Sequence, residues 1–220
     1  MTTMVEIKSG ALKDAKGKYK GMVIFQKGKK TFGRALPSYD GNAGSPTRAA
    51  QNARLAAVVT LYQSIKETYL CHAWRMEATR KEISSGYNLF ISTNLQAYST
   101  DCTVGDFQLL HLTRGVLQTP FQLRRQEAPA GTLSLTWEPA PWSNYRRNRD
   151  ELALAVIYDH EPFRVEIIDH TGITREDGTA AITLEHPLAR EAHVYAFFVN
   201  TTRDGFSNST YFNVPLRGVY

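Results

Sequence analysis

The sequence predicts an α+β fold: an N-terminal β-hairpin and helices over residues 1–105, followed by a seven-stranded antiparallel β-sandwich over residues 106–220. Three observations lead there. Two β-prone runs, Met22-Val23-Ile24-Phe25 and Thr31-Phe32-Gly33-Arg34-Ala35-Leu36, flank the glycine-containing turn Lys27-Gly28-Lys29. Apolar residues then recur at three- and four-residue steps from Leu55 to Tyr69, the period of a helix. After Asp101 the texture changes to short apolar runs parted by turn residues, with no helical pattern between them.

In chain order, residues 8–21 are rich in Gly and Lys and read as an extended or loop approach to the hairpin, and residues 37–44 read as a loop. Ser45-Pro46 is a helix start, because Ser offers an oxygen to orphan backbone donors and Pro at the first helical position loses no hydrogen bond. The helix is expected to run to about residue 78, with Leu55, Val58, Tyr62, Ile65 and Tyr69 along one apolar face. That face is expected to pack on its own domain; a subunit seam is the alternative. A second helix is expected over 87–98, with Leu89, Phe90, Ile91 and Leu95 at helical spacing. Strands are expected over 108–116, 132–138, 151–158, 163–168, 180–184, 193–199 and 209–214. Pro139-Ala140-Pro141, residues 159–162, Glu176-Asp177-Gly178 and Asp204-Gly205 supply turn chemistry between them.

Hydrophobic residues make up 42% of the chain and charged residues 21%, enough apolar material for a core without covalent staples. Two cysteines, Cys71 and Cys102, fall far short of a disulfide framework and point to a reducing compartment, although one bridge between them stays open. Residues 1–10 are polar and no apolar stretch follows, so no secretion by signal peptide is expected. The apolar runs are also too short for membrane insertion.

The formal net charge of +5 is unevenly placed: residues 1–34 hold nine Lys or Arg against Glu6 and Asp14, which leaves the rest slightly acidic. Such asymmetry suggests that Lys16, Lys18, Lys20, Lys29, Lys30 and Arg34 meet something negative; a solvated basic loop is the alternative. A second cluster, Trp142, Tyr145, Arg146, Arg147 and Arg149, falls between two expected strands. Exposed Trp, Tyr and Arg are the residue types of interface hot spots, and they also stack on bases and neutralise phosphates; a protein interface is favoured here.

Catalytic patterns are missing. The chain has no phosphate-cradling glycine loop between strand and helix, no Gly-x-Ser-x-Gly and no His-Glu-x-x-His. Cys71, His72, Cys102 and His111 lack the short-range pairing of zinc ligands. Asp159-His160 and Asp169-His170 are carboxylate–imidazole neighbours, but one strand length apart they read as turn residues, as do Glu176, Asp177 and Glu185. No cofactor, no metal and no enzymatic activity are expected.

Two motifs carry a resemblance. Thr132-Leu133-Ser134-Leu135-Thr136-Trp137-Glu138-Pro139 resembles the second strand of a fibronectin type III or related immunoglobulin-like module. The segment from His193 to Asn200, followed by Gly205-Phe206-Ser207-Asn208-Ser209, resembles its sixth strand, turn and seventh strand. The resemblance implies that Trp137 fills the core between two sheets and that Tyr195 is a buried corner tyrosine whose hydroxyl reaches a backbone carbonyl. Gly17-Lys18, Arg34, Pro37, Pro46-Thr47, Gln51 and Arg54, with Gly172, Arg175, Asp177-Gly178 and Tyr195, make the whole chain similar to an uncharacterised domain family of Bacteroidota bacteria and their phages. What that implies is a structural part of a virion, most concretely a tail or collar ring protein made in the bacterial cytoplasm. Its partners would be copies of itself and other structural proteins of the particle, with DNA nearby. Nucleic-acid binding through the basic N-terminal segment is the alternative function.

Overall fold

The computed structural model describes residues 4–8, 10, 12, 14–36, 45–139 and 148–216. The chain separates into two compact units, Met1–Ser45 and Pro46–Tyr220. The fold is mixed α+β, with three α-helices and antiparallel sheets among the described residues.

The first unit is a four-stranded antiparallel sheet of β1 (Met4–Ile7), β2 (Gly17–Tyr19), β3 (Met22–Lys27) and β4 (Lys30–Ala35), in the order β1-β4-β3-β2. The expected hairpin is β3–β4, closed by Gly28-Lys29. Strand β2 joins β3 through Lys20-Gly21, whose φ angles of 42° and 77° match the mirror-image turn that suits the right-handed twist of paired strands. Strands β1 and β2 were not expected. Gly17-Lys18-Tyr19 shows no apolar alternation, and the ladder with β3, not side-chain burial, makes it a strand.

The second unit opens with α1 (Pro46–Ile65), α2 (Tyr69–Arg80) and α3 (Gly86–Asn94). The long helix expected to run to residue 78 is therefore two. At Thr68 the backbone turns extended (φ −108°, ψ 165°), its hydroxyl donates to the Ile65 carbonyl at 2.7 Å and it accepts from the Leu70 amide at 3.3 Å. A Thr side chain that serves the backbone in this way ends one helix and caps the next. Of the expected stripe, Val58, Tyr62 and Ile65 are buried, Leu55 is exposed, and Tyr69 lies beyond the break. Ser85 caps α3 by accepting from the Asn88 amide at 3.1 Å. Gly86 then lets α3 press on α2, since a Cβ there would lie 2.7 Å from the Arg75 amide nitrogen. Beyond α3 the expected helix over 87–98 tightens to a 3-10 turn, Leu95–Ala97.

Among the described residues seven further strands follow: β5 (Phe121–Gln126), β6 (Thr132–Glu138), β7 (Glu151–Tyr158), β8 (Glu166–Ile168), β9 (Thr179–Thr183), β10 (Glu191–Val199) and β11 (Thr210–Pro215). They form one sheet ordered β5-β6-β9 and another ordered β11-β10-β7-β8. The strand expected over 108–116 is replaced by a 3-10 turn, Phe107–Leu109, and an irregular segment. Side chains hold that segment: the His111 amide donates to Asn94 Oδ1 at 2.7 Å, and the Leu112 and Thr113 amides to Ser209 Oγ at 3.2 and 3.4 Å. With its donors already served, it has no call for a ladder partner.

The placement of the core corrects the expected division at 105/106. Strands β7 and β10 are buried on both faces. On one face Leu152, Leu154, Val156, Val194, Ala196 and Phe198 cluster with Leu133, Leu135 and Trp137 of β6. On the other, Ala153, Ala155, Ile157, Tyr195, Phe197 and Val199 cluster with Val58, Leu61, Ile65, Leu70, Trp74 and Phe90 of the helices. Helices and sheets thus share one continuous body. Trp137 packs edge-to-face on Phe198, ring centroids 5.5 Å apart, on the face toward β6. Tyr195 is fully buried and its hydroxyl donates to the Phe107 carbonyl at 2.8 Å, but its ring lies on the helical face and not between the sheets.

Candidate functional site

In the first unit the register decides which side chains meet, because directly paired residues of antiparallel strands project to the same face. Lys18 pairs with Val23, and Val23 with Arg34. Phe25 pairs with Phe32, and Lys27 with Lys30. One face therefore carries Lys18, Lys27, Lys30 and Arg34, all exposed, around Val23, Phe25 and Phe32, all half-buried, with the half-buried Glu6 of β1 paired directly with Phe32. The two Phe rings stack with centroids 5.9 Å apart and planes at 26°. The opposite face holds the buried residues Ile24 and Thr31. On this face Lys30 Nζ lies 3.6 Å from Glu6 Oε1, and Lys30 stays largely exposed, so solvent screens most of that attraction.

Of the residues expected to make contacts, Lys18, Lys30 and Arg34 thus share a face. Lys16 precedes β2, Lys20 sits in the β2–β3 turn and Lys29 in the β3–β4 turn, which places them at the sheet's ends. Trp142, Tyr145, Arg146 and Arg147 lie outside the described residues, while Arg149 is exposed in the second unit. Sequence reasoning missed Lys27, Phe25 and Phe32 as members of the face. The signal was available: counting outward from a two-residue turn at Gly28-Lys29 pairs 27 with 30 and 25 with 32.

Several ionisable groups of the second unit are engaged in structural contacts. Asp150 Oδ2 accepts from Arg175 Nε at 3.1 Å, and the guanidinium lies 4.7 Å from the Phe198 ring centroid. Arg203 donates from Nη1 to Asp169 at 2.7 Å, lies 3.6 Å from Glu151 and faces the Tyr69 ring at 5.6 Å. His170 sits at φ 54°, and Asp159 accepts from the Arg190 amide at 3.1 Å. The two Asp–His neighbours therefore serve separate turns. Cys71 and Cys102 are free thiols, the first buried 3.3 Å from the Tyr62 hydroxyl, the second exposed. Among the described residues no three His, Cys, Asp or Glu side chains converge as metal donors, and no helix is long and apolar enough to cross a membrane. A cleft of about 770 Å³ runs between the β5–β6 and β9–β10 connections, lined by Pro129, Gly131, Leu184, His186, Pro187 and Leu216 among others.

One buried imidazole gives the second unit a pH signature. His193 Nδ1 lies 2.9 Å from the Tyr211 hydroxyl and its ring stacks on Phe107 at 3.5 Å between centroids. Burial holds His193 below its ordinary value of 6.5, and the charges of Glu191 and Asp159 offset part of that. The unfolded chain therefore takes up this proton more readily than the folded one. The stability that neutral His193 contributes is present above the ordinary value and is lost as pH falls from there toward the folded value. His193→Gln is expected to flatten the fall in urea midpoint between about pH 7 and pH 5. Some slope should persist, because burial also lowers His111. An unchanged pH dependence would contradict this assignment.

No family model matches the chain, and no curated protein matches it. Among solved structures it is similar to the FN1-FN3 domains of chicken CNTN1, at 8% identity and a TM-score of 0.34, over 47% of this chain and 32% of that one. The match thus spans about a third of that structure's length, and a likeness this low carries no argument of its own.

Proposed function

We propose that this protein is a non-enzymatic structural component of a multi-subunit assembly, in its most concrete form a tail or collar part of a phage virion, made in the bacterial cytoplasm. The second unit is read as a fibronectin-III- or immunoglobulin-like sandwich backed by helices. Its strand order supports this: the first, second and fifth of the seven strands share one sheet, and the third, fourth, sixth and seventh share the other. The observation that carries the assembly role is the helical layer's outer surface. Exposed Ile83 and Tyr87 rim a shallow depression with Tyr62 and Ala78, and Met76 and Leu55 are exposed on α2 and α1. Contiguous apolar surface rimmed by polar residues marks a protein–protein contact, and in this reading a neighbouring subunit covers these residues. In this reading copies of the chain and other structural proteins of the particle are the partners, and the virion reading itself stands on the sequence resemblance given above.

The test is solution mass by sedimentation, together with fractionation of particles from producing cells. An oligomer that co-fractionates with particles is expected. A strict monomer absent from every particle fraction overturns the proposal.

A second reading, nucleic-acid binding, is favoured by one observation: the register gathers Lys18, Lys27, Lys30 and Arg34 on one open face. Both readings hold together if the particle encloses a nucleic-acid conduit.

A further inference from the structure

We infer that the basic face of the N-terminal sheet binds single-stranded nucleic acid, with Phe25 and Phe32 as the stacking platform and Lys18, Lys27, Lys30 and Arg34 as phosphate contacts; this rests on the second reading above. Charge alone would fit any polyanion. What selects a single strand is the placement of the aromatic pair. Phe25 and Phe32 face each other across β3 and β4, stacked at 5.9 Å, with cations on both sides along the strands: Lys18 and Arg34 toward one end, Lys27 and Lys30 toward the other. Successive side chains on one face of a strand are spaced by two residues, about 6.6 Å. The cations therefore bracket the rings at the reach of one neighbouring side chain.

An unpaired strand presents base faces that stack on such rings while its phosphates meet the flanking cations, and every base has a π-face to offer. A duplex hides its bases and would use only the charges, since its major groove admits a helix or a two-stranded ribbon and not a broad sheet. The opposite face is closed to this role, because Ile24 and Thr31 are buried there. The two Phe rings, half-buried among the stems of exposed Lys and Arg, are held in place and remain reachable.

The experiment is fluorescence anisotropy of the full-length protein with a labelled oligothymidylate and a duplex of equal length, at 50 and 200 mM salt. The single strand should bind tighter than the duplex. With four phosphates neutralised, its affinity should fall by roughly 50-fold over that salt range. Lys18→Glu with Arg34→Glu should reduce the salt slope to about half. Phe25→Leu with Phe32→Leu should weaken single-strand binding by about tenfold or more and leave the salt slope intact. Phe25→Tyr with Phe32→Tyr should retain binding, which separates loss of stacking from loss of the sheet. If the duplex binds as tightly as the single strand, or the Leu variants bind like the parent, the stacking mode is overturned while nucleic-acid binding stands. If neither nucleic acid binds at 50 mM salt, both fall.

Discussion

Trp74→Ala lowers the stability of the Pro46–Tyr220 unit by about 3–5 kcal/mol, the cost of emptying a large aromatic site in a closed core. Trp74 is fully buried where α2 meets the β11-β10-β7-β8 sheet, and its ring packs edge-to-face on Phe90 at 5.1 Å. Its indole N–H donates to the Leu112 carbonyl at 2.9 Å, so one side chain ties the helical layer to the irregular segment that replaces the expected strand. Trp74→Phe keeps much of the volume and strands that carbonyl, which costs about 1–3 kcal/mol. A whole domain holds only about 5–15 kcal/mol, so the Ala variant takes a large share of it. Urea unfolding with an unchanged m-value is the measurement. A loss below about 1 kcal/mol for Trp74→Ala would show that the helices are not docked as described.

The second large effect is expected at Asp150 and Arg175. Their side chains retain only 3% and 9% exposure. At such low exposure, removal of the Asp150 carboxylate takes a charged partner from a buried guanidinium, and Asp150→Ala should cost about 3–5 kcal/mol. The guanidinium also covers the Phe198 ring, and the Arg175 carbonyl accepts the Trp137 indole N–H at 2.8 Å. Loss of the pair therefore loosens the aromatic contact at the centre of the β6–β10 core. Asp150→Leu combined with Arg175→Met removes both charges and should cost clearly less than Asp150→Ala alone, because desolvation of the pair offsets much of its attraction. A double variant as damaged as the sum of its singles would contradict coupling between the two groups.

Much of the architecture is written locally in the residues. Thr132–Glu138 and Glu151–Tyr158 are strands over the segments read from the sequence, and the β3–β4 hairpin follows from Gly28-Lys29 between apolar runs. What failed depended on partners that the local pattern does not name. β5 reads Phe-Gln-Leu-Arg-Arg-Gln and is almost wholly exposed, so its ladder with β6 makes it a strand and no buried alternation announces it. Lys66-Glu67-Thr68 suits a helix by composition, and the extended backbone at Thr68, with its hydroxyl bonded back to the Ile65 carbonyl, ends it.

The boundary at 105/106 failed for a different reason. Glu151–Tyr158 and Glu191–Val199 are nearly continuous apolar runs, the signature of strands covered on both faces, and that implies a helical layer on the outer side. The same fact places Tyr195 toward the helices while Trp137 lies toward β6. For the candidate site, the charges were legible as composition. The aromatic pair among them needed the register, which a single turn fixes.

The three helices and the β11-β10-β7-β8 sheet fold as one body, with β7 and β10 as its shared middle layer. Native-state hydrogen exchange on the full-length chain tests it most directly. Amides of α2, β7 and β10 should open together with one free energy and one denaturant dependence. Exchange of α2 through an independent opening several kcal/mol below that of β7 and β10 would contradict the shared core.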